Sequence, residues 1–242
     1  MKQKTCILLF FVGFLGISNI HAQVVNAGVG GNSTVNLLKR LDTDVLQQAP
    51  DLVILMVGTN DMLNSKKMIP YKTYEDNLQK IVQKISDKGA AILLISPPPV
   101  DSVYLFERHD RKMFTEVPNV KLDTVRQITV RIAKKHELKH LDLYKVFSEM
   151  NLPKHNKDLF FRNSMNSKVR DGVHPTVLGY HFIGELVFHC LKENKLLKAG
   201  KKIVCFGDSI TNGAGTKNKG TSVGDNYPAV LSRLILEYFE DE

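Results

Sequence analysis

Short apolar runs that alternate with amphipathic segments are the feature that most constrains the fold of this chain. Runs such as "DLVILMVG" and "AAILLIS" are continuously apolar, as expected of strands that are covered on both faces. The predicted strands lie at 23–28, 51–58, 90–96, 139–144 and 202–207. The helical spacing of apolar residues predicts helices at 74–88, 121–136, 177–197 and 226–239. This alternation predicts an α/β fold, in which a five-stranded parallel sheet lies between two layers of helices.

The first 22 residues have the pattern of a secretory signal peptide. A basic start, "MKQK", precedes the apolar run "CILLFFVGFLGI" and a small-residue exit that ends at Ala22. The run is short for a membrane span, although an uncleaved anchor is the alternative. We therefore expect a secreted or periplasmic protein with no stable membrane association after cleavage. Residues 23–242 are expected to form a single domain, with long irregular stretches at 97–120 and 145–170.

Charge and cysteine content limit the partners of the chain. The formal net charge is +8, but the lysines and arginines are scattered, with no basic stripe interleaved with aromatic residues. This pattern argues against a nucleic-acid partner. Cys190 and Cys205 lie in apolar segments and are expected to be buried free thiols, although an exported protein permits a disulfide. The sequence does not indicate an oligomeric state.

Glycine-rich segments follow three of the predicted strands. They are "NAGVGGNST" at 26–34, "GTNDM" at 58–62 and "GDSITNG" at 207–213. Ligands of open parallel sheets bind at the carboxyl ends of the strands, so these segments are expected to meet there. Ser209, in the last of them, is a candidate nucleophile that needs a base to remove its proton.

The segment "RDGVHPT" at 170–176 contains such a base. Asp171 and His174 are three residues apart, directly before a predicted helix. A turn at this point would let the carboxylate accept a hydrogen bond from Nδ1–H and leave Nε2 free to accept a proton from a serine. For this pair alone, a purely structural turn is the alternative.

Together, the four segments resemble the signature blocks of the SGNH (GDSL) hydrolases, which are esterases and lipases with a flavodoxin-like fold. The resemblance implies that Ser209 is the nucleophile and that His174 is the general base, oriented by Asp171. It also implies an oxyanion hole made by the N–H groups of Gly31 and Ser209 and the side-chain amide of Asn60. It implies no metal and no organic cofactor.

The order of the blocks departs from the family, whose members begin with the serine block. Here that block comes last, which predicts a circularly permuted chain. The resemblance then places strand 202–206 between strands 24–26 and 52–57, and not at the sheet edge. The apolar character of "KIVCFG" on both faces favours this central place.

The expected function is that of a secreted serine esterase acting through an acyl-Ser209 intermediate. Its substrate is expected to be a small acyl ester or an acetylated polysaccharide, with O-acetyl groups on carbohydrate favoured. A lipolytic or lysophospholipase-like acyl hydrolase is the alternative. From another class, the chain could be a non-catalytic glycan-binding module.

A zinc metalloprotease is a further alternative, because "HELKH" at 136–140 matches the H-E-x-x-H pattern. That pattern needs a continuous helix and a third ligand. Here the helix has to end before the strand at 139–144, so we expect no zinc site.

Overall fold

The computed structural model describes residues 23–240; the predicted signal peptide at 1–22 lies outside the described residues. Within the described residues, five strands form one parallel sheet. They are β1 (Gln23–Gly28), β2 (Leu52–Met56), β3 (Ala91–Ile95), β4 (Lys139–Leu141) and β5 (Lys202–Gly207). Their order in the sheet is β1-β5-β2-β3-β4. The predicted α/β class is confirmed, and so is the place of the C-terminal strand between the first two.

Helices connect the strands. They are α1 (Thr34–Asp44), α2 (Thr59–Leu63), α3 (Tyr71–Ser86), α4 (Ser102–Arg108), α5 (Pro118–Lys135), α6 (Leu143–Glu149), α7 (Val177–Glu193), α8 (Ser209–Asn212) and α9 (Tyr227–Glu240). Short 3₁₀ helices occupy Leu46–Gln48 and Arg111–Met113. The four helices predicted from periodicity are all present, with shifted ends.

The prediction of an irregular stretch at 97–120 is partly wrong, because α4 and the first turn of α5 lie in it. Helix α4 has seven residues, too few to show a 3.6-residue period. It begins instead with a cap, in which the carboxylate of Asp101 accepts a hydrogen bond from the N–H of Val103.

The two faces of the sheet are covered by different helices. All five residues of β2 are buried, and they alternate between two apolar clusters. Val53 and Leu55 pack with residues of α1, α3 and α5, whereas Ile54 and Met56 pack with residues of α6, α7 and α9. This alternation is the expected result of a strand whose successive side chains point to opposite faces. The layers are therefore helix, sheet and helix, as predicted.

Strand β5 is an interior strand of the sheet, and β1 is an edge strand. β5 pairs with β1 on one side and with β2 on the other. Its residues from Ile203 to Gly207 are buried, whereas β1 is only partly so. Because all strands are parallel, the segments that follow β1, β2 and β5 lie at the same end of the sheet, beyond the carboxyl ends of the strands.

Two further expectations concern the helices and the thiols. In residues 23–240 no helix is long and apolar enough to cross a membrane. The thiols of Cys190 and Cys205 are both free; Cys205 is buried in β5, and Cys190 is partly buried in α7.

Candidate active site

Ser209 is the first residue of α8, directly beyond β5. The turn between them is tight at Gly207, where a Cβ atom would lie 2.4 Å from the carbonyl oxygen of Met56 and 2.2 Å from Oγ1 of Thr211. Only glycine allows this approach. The carboxylate of Asp208 then accepts a hydrogen bond of 2.9 Å from the N–H of Ile210. The central strand and this cap together fix the position of Ser209.

Ser209, His174 and Asp171 form a continuous hydrogen-bonded chain. The hydroxyl oxygen of Ser209 lies 2.9 Å from Nε2 of His174. On the other side of the ring, Nδ1 lies 2.9 Å from Oδ2 and 3.0 Å from Oδ1 of Asp171. With the proton on Nδ1, the imidazole donates to the carboxylate and Nε2 accepts from the serine. The structure thus brings together the three residues that the sequence nominated, in the geometry that acyl transfer requires.

The carboxylate of Asp171 is surrounded by donors. Its Oδ1 accepts hydrogen bonds of 3.1 Å from the N–H groups of Val173 and His174. Nη1 of Arg162 lies 3.4 Å from Oδ2, and Nη1 of Arg108 lies 3.5 Å from Oδ1. Burial raises the pKa of Asp171, but the hydrogen bond and the charge of His174 lower that pKa by more, so it lies well below its ordinary value. Asp171 is therefore ionised at neutral pH.

The turn from Asp171 to His174 depends on Gly172. Its φ is +68°, and a Cβ atom there would lie 2.6 Å from Cβ of Asp101. The stretch at 145–170, predicted to be irregular, holds this turn in place through Arg162. The N–H of Arg162 donates to the carbonyl of His174 at 2.9 Å, and its own carbonyl accepts from the N–H of Gly172 at 2.8 Å.

The segments after β1 and β2 approach the serine from the other side. Nδ2 of Asn60, in α2, donates a hydrogen bond of 3.0 Å to the carbonyl of Asn32 and lies 3.5 Å from Oδ2 of Asp208. Asn60 lines the same cavity as Ser209 and His174. Gly31 has a φ of +73°, and its carbonyl accepts a hydrogen bond from Nζ of Lys67. Unlike Asn60, Gly31 is not among the described residues that line the cavity.

Arg40 connects the ends of β1 and β5. From α1, its Nη1 donates to the carbonyl of Ala27 and its Nη2 to the carbonyl of Gly207, each at 2.8 Å. Its Nε donates to Oδ1 of Asn32 at 2.7 Å. One guanidinium thus ties the ends of β1 and β5 to the glycine-rich segment. Sequence reasoning missed this arginine, since nothing in its local sequence distinguishes it from a surface charge.

Two buried carboxylates lie beside the site without belonging to the Ser209–His174–Asp171 chain. Burial raises the pKa of Asp208 to about 6, and the nearby charge of Asp61 adds to the shift. Burial also raises the pKa of Asp61 to about 6, although its oxygens accept hydrogen bonds from the N–H and hydroxyl of Thr34. Both carboxyl groups therefore titrate in the mildly acidic range.

The cavity at Ser209 is small. Its volume is about 210 Å³, and its lining includes Ser209, His174, Asn60, Leu105, Arg108 and His109. A larger cavity of about 560 Å³ is lined by other residues of α4 together with Phe114 and Glu116, and it contains neither Ser209 nor His174. Arg108 and His109 come from the stretch at 97–120, which was predicted to be irregular.

The "HELKH" pattern does not lie on one helix. α5 ends at Lys135, Glu137 has a φ of +54°, and His140 lies in β4. The helix therefore ends before the strand begins, as predicted. In the part of the chain that the structure describes, no group of three or more histidine, cysteine, aspartate or glutamate residues is placed to hold a metal ion.

Comparison with known proteins was made for the sequence and for the fold. In sequence, the chain is 37% identical over 78 residues to an arylesterase of Vibrio mimicus. The aligned region covers 31% of this chain and 38% of that protein. It is 32% identical over 82 residues to an acetylxylan esterase of Geobacillus stearothermophilus. That aligned region covers 31% of this chain and 37% of the acetylxylan esterase. The chain thus spans less than two fifths of the length of these two relatives.

In structure, the chain is similar to a lipase/acylhydrolase from Enterococcus faecalis. The TM-score is 0.51 at 25% identity, over 68% of this chain and 72% of the other. The model of the GDSL-like lipase/acylhydrolase family matches residues 14–182, which is more than half of the sequence. With this match and the SGNH-type arrangement of its parallel sheet, the chain belongs to the GDSL-like lipase/acylhydrolase family.

Proposed function

We propose that this protein is a carboxylic ester hydrolase that acts through an acyl-Ser209 intermediate. The observation that carries the proposal is the pair of contacts made by His174, at 2.9 Å to the hydroxyl of Ser209 and at 2.9 Å to the carboxylate of Asp171. In the first step, Nε2 of His174 takes the serine proton as Oγ attacks the ester carbonyl, and then returns it to the leaving alcohol. In the second, Nε2 activates a water molecule that releases the acid and frees Ser209.

The negative charge that develops on the carbonyl oxygen needs hydrogen-bond donors. We assign this role to the side-chain amide of Asn60 and to the N–H groups of Gly31 and Ser209. Nδ2 of Asn60 carries two hydrogens, and one of them is bonded to the carbonyl of Asn32. Nδ2 also lies 3.5 Å from Oδ2 of Asp208, which is longer than an ordinary hydrogen bond, so a ligand oxygen can take the place of this weak contact.

For the substrate, we propose short acyl esters, with O-acetyl groups on carbohydrate favoured. A cavity of about 210 Å³ is smaller than the roughly 300 to 1,000 Å³ of sites that enclose drug-sized ligands, which favours a short acyl group over a fatty acyl chain. An acetylxylan esterase is among the relatives. The rates on nitrophenyl esters from acetyl to octanoyl distinguish this proposal from a lipolytic activity: we expect acetyl to be fastest.

A non-catalytic glycan-binding module is the candidate from another class. Such a module has no need for a serine, a histidine and an ionised carboxylate that are linked by a continuous chain of hydrogen bonds. The contacts of His174 therefore favour hydrolysis.

We also propose that residues 23–242 form one domain, exported by a signal peptide at 1–22, in which the family order is circularly permuted. Support comes from the sheet, where β5 lies between β1 and β2 although it is last in the chain. The family model, which ends at residue 182, does not reach the serine segment at 207–213.

The proposed function is tested with a fluorophosphonate probe, which adds covalently to an activated serine. We expect one modified residue, Ser209, by peptide mass spectrometry, and loss of both labelling and ester hydrolysis in Ser209→Ala. Removal of a triad nucleophile lowers turnover by about 10⁴- to 10⁶-fold.

Ser65→Ala is a matched control for this experiment. Oγ of Ser65 lies 3.0 Å from Nδ1 of His109, but within residues 23–240 His109 has no ion pair with an aspartate or a glutamate. We expect its labelling to equal that of the wild type. Full activity in a folded Ser209→Ala protein would contradict the mechanism.

A further inference from the structure

The described lining of the cavity at Ser209 contains one permanently charged side chain, and it is positive. Of the described side chains that line it, Arg108 is the one lysine, arginine or carboxylate, and the others are neutral polar, imidazole or apolar groups. A cavity with a guanidinium and no facing carboxylate favours ligands that carry negative charge.

Arg108 is held in place without being neutralised. Its Nη2 donates a hydrogen bond of 2.7 Å to the carbonyl oxygen of Asp171, and its Nη1 lies 3.5 Å from the carboxylate of the same residue. That carboxylate also faces Nη1 of Arg162 at 3.4 Å, so two guanidinium groups share one negative charge. The neighbouring carboxylate of Glu107 is bound by Arg170. The guanidinium of Arg108 is therefore only partly compensated by Asp171, whereas the carboxylates of Asp208 and Asp61 are buried beside the site and do not line the cavity.

Two further cations, Lys66 and Lys67, lie in the segment that follows Asn64, a residue of the cavity lining. His109 has a lowered pKa, first because of burial and then because of the charges of Arg108 and Lys66. Arg108 and His109 line the same cavity, so this guanidinium lies close to the imidazole. Nζ of Lys67 donates to the carbonyl of Gly31, so a third cation lies at the glycine-rich segment.

Part of Arg108 faces solvent, since 39% of its side chain is exposed. A guanidinium presents several N–H donors in a planar fork, and this fork matches a carboxylate in a bidentate contact. With Nη2 bound to a main-chain carbonyl, the guanidinium is already partly ordered, so less side-chain entropy is lost when a ligand binds.

We propose that Arg108 selects esters that carry a carboxylate near the scissile bond, an inference that rests on the proposed esterase function. The carboxylate has two chemical sources. It belongs to the acyl group, as in the half-ester of a dicarboxylic acid, or to the alcohol, as in an acetylated uronic acid.

Two pairs of esters distinguish these sources. The acyl pair is mono-4-nitrophenyl glutarate and 4-nitrophenyl pentanoate, and the alcohol pair is acetylated glucuronate and acetylated glucose. The ratio of kcat/KM for the charged member to that for the neutral member is measured in each pair at pH 7.5 and low salt. A hydrogen bond to a charged group contributes about 1.5 to 3 kcal/mol, so we expect a ratio above roughly ten in one pair for the wild type.

The variants separate recognition from a structural role. Arg108→Gln should lower the ratio roughly tenfold or more, whereas Arg108→Lys, which keeps the charge, should retain part of it. Arg162→Gln is the matched control: Arg162 faces the same carboxylate of Asp171 but does not line the cavity. Arg162→Gln should lower kcat/KM equally for the charged and the neutral ester of a pair, and so leave their ratio unchanged. In the wild type, added salt should lower the ratio by screening.

Equal kcat/KM within both pairs, or a ratio that survives in Arg108→Gln, would overturn the proposal. Calorimetric binding to Ser209→Ala keeps the test independent of turnover. There the charged ester of the selected pair should bind more tightly than its neutral partner, and the difference should vanish when Arg108→Gln is added. Absence of hydrolysis with a retained binding difference would count against the esterase function alone, and equal binding would count against the anion selection.

Discussion

Nε2 of His174 lies 2.9 Å from the hydroxyl oxygen of Ser209, although the two residues are 35 positions apart in the sequence. His174 lies in a turn before α7, and Ser209 begins α8 after the central strand β5. Their contact depends on the packing of α7 and β5 in one apolar cluster, where Ile183 and Val187 meet Ile203 and Cys205. Each residue of the site can therefore be tested by a change that leaves this packing intact.

Asp171→Asn should lower kcat by about 10⁴-fold, because an amide at this position no longer fixes the tautomer with the proton on Nδ1. The asparagine oxygen can still accept the N–H groups of Val173 and His174, so the turn should persist. Steady-state kinetics with an acetyl ester and circular dichroism measure the two effects.

Asp101→Asn is the control for that change. Oδ2 of Asp101 lies 2.7 Å from Nδ1 of His155, so this is a second aspartate–histidine pair, without a serine at the far nitrogen. We expect less than a roughly tenfold change in kcat, since only one of the two pairs contacts the nucleophile. Equal losses in both variants would show that the effect of Asp171→Asn is structural.

Asn60→Ala should lower kcat by about 10²- to 10³-fold, the loss expected for one oxyanion donor, with a smaller change in KM. Asn64 lines the same cavity and is the matched control; Asn64→Ala should leave kcat within severalfold of the wild type. A change confined to KM in Asn60→Ala would assign Asn60 to substrate binding instead.

Asp208→Asn should make the protein more stable at neutral pH. The pKa of Asp208 is about 6 in the folded protein against an ordinary value of 3.8, so the native state binds more protons than the unfolded state between these values. The free energy of unfolding therefore falls as the pH rises from about 4 to 6. One pKa unit corresponds to about 1.4 kcal/mol, which sets an upper limit of about 3 kcal/mol on this loss.

Urea unfolding of the wild type and Asp208→Asn at pH 5 and pH 7.5 measures this difference. The asparagine oxygen can still accept the N–H of Ile210, so the cap is retained. We expect the free energy of unfolding of the variant to increase relative to that of the wild type as the pH rises. A stability difference that does not change with pH would contradict the raised pKa.

Relocation of residues 200–242 ahead of Gln23 through a short flexible linker, with a new end near Leu197, should preserve ester hydrolysis. Permutation leaves the spatial neighbours of each residue unchanged. Deletion from Gly200 onward should abolish folding and activity, since it removes the strand between β1 and β2. Soluble, active protein from the deletion would refute the permuted order.

The parallel sheet could be predicted from sequence because its strands are continuous apolar runs, and the triad because its residues stand in short segments with glycine or proline. Arg40, Arg108 and Arg162 could not. Arg40 and Arg108 contact groups 167 and 63 positions away, and only the folded chain brings those groups within reach. Arg162 contacts Asp171 only nine positions away, but it lies in an irregular stretch with no periodic pattern. Helices α4 and α6 were missed for a different reason, since seven residues do not establish a period.

The position of β5 makes the end of the chain decisive for folding. Among the strands of the described residues, β1 pairs with β5 alone, and the registered partners Gln23 and Lys202 are about three quarters of the chain apart. Closure of so long a loop is entropically costly and is a slow kind of folding step. Until β5 inserts, β1 has no neighbour in the sheet and β2 has an unpaired edge. The same insertion delivers Ser209, so the sheet is completed and the proposed nucleophile arrives in one event. We therefore expect a chain that has not finished folding to lack the proposed hydrolase activity.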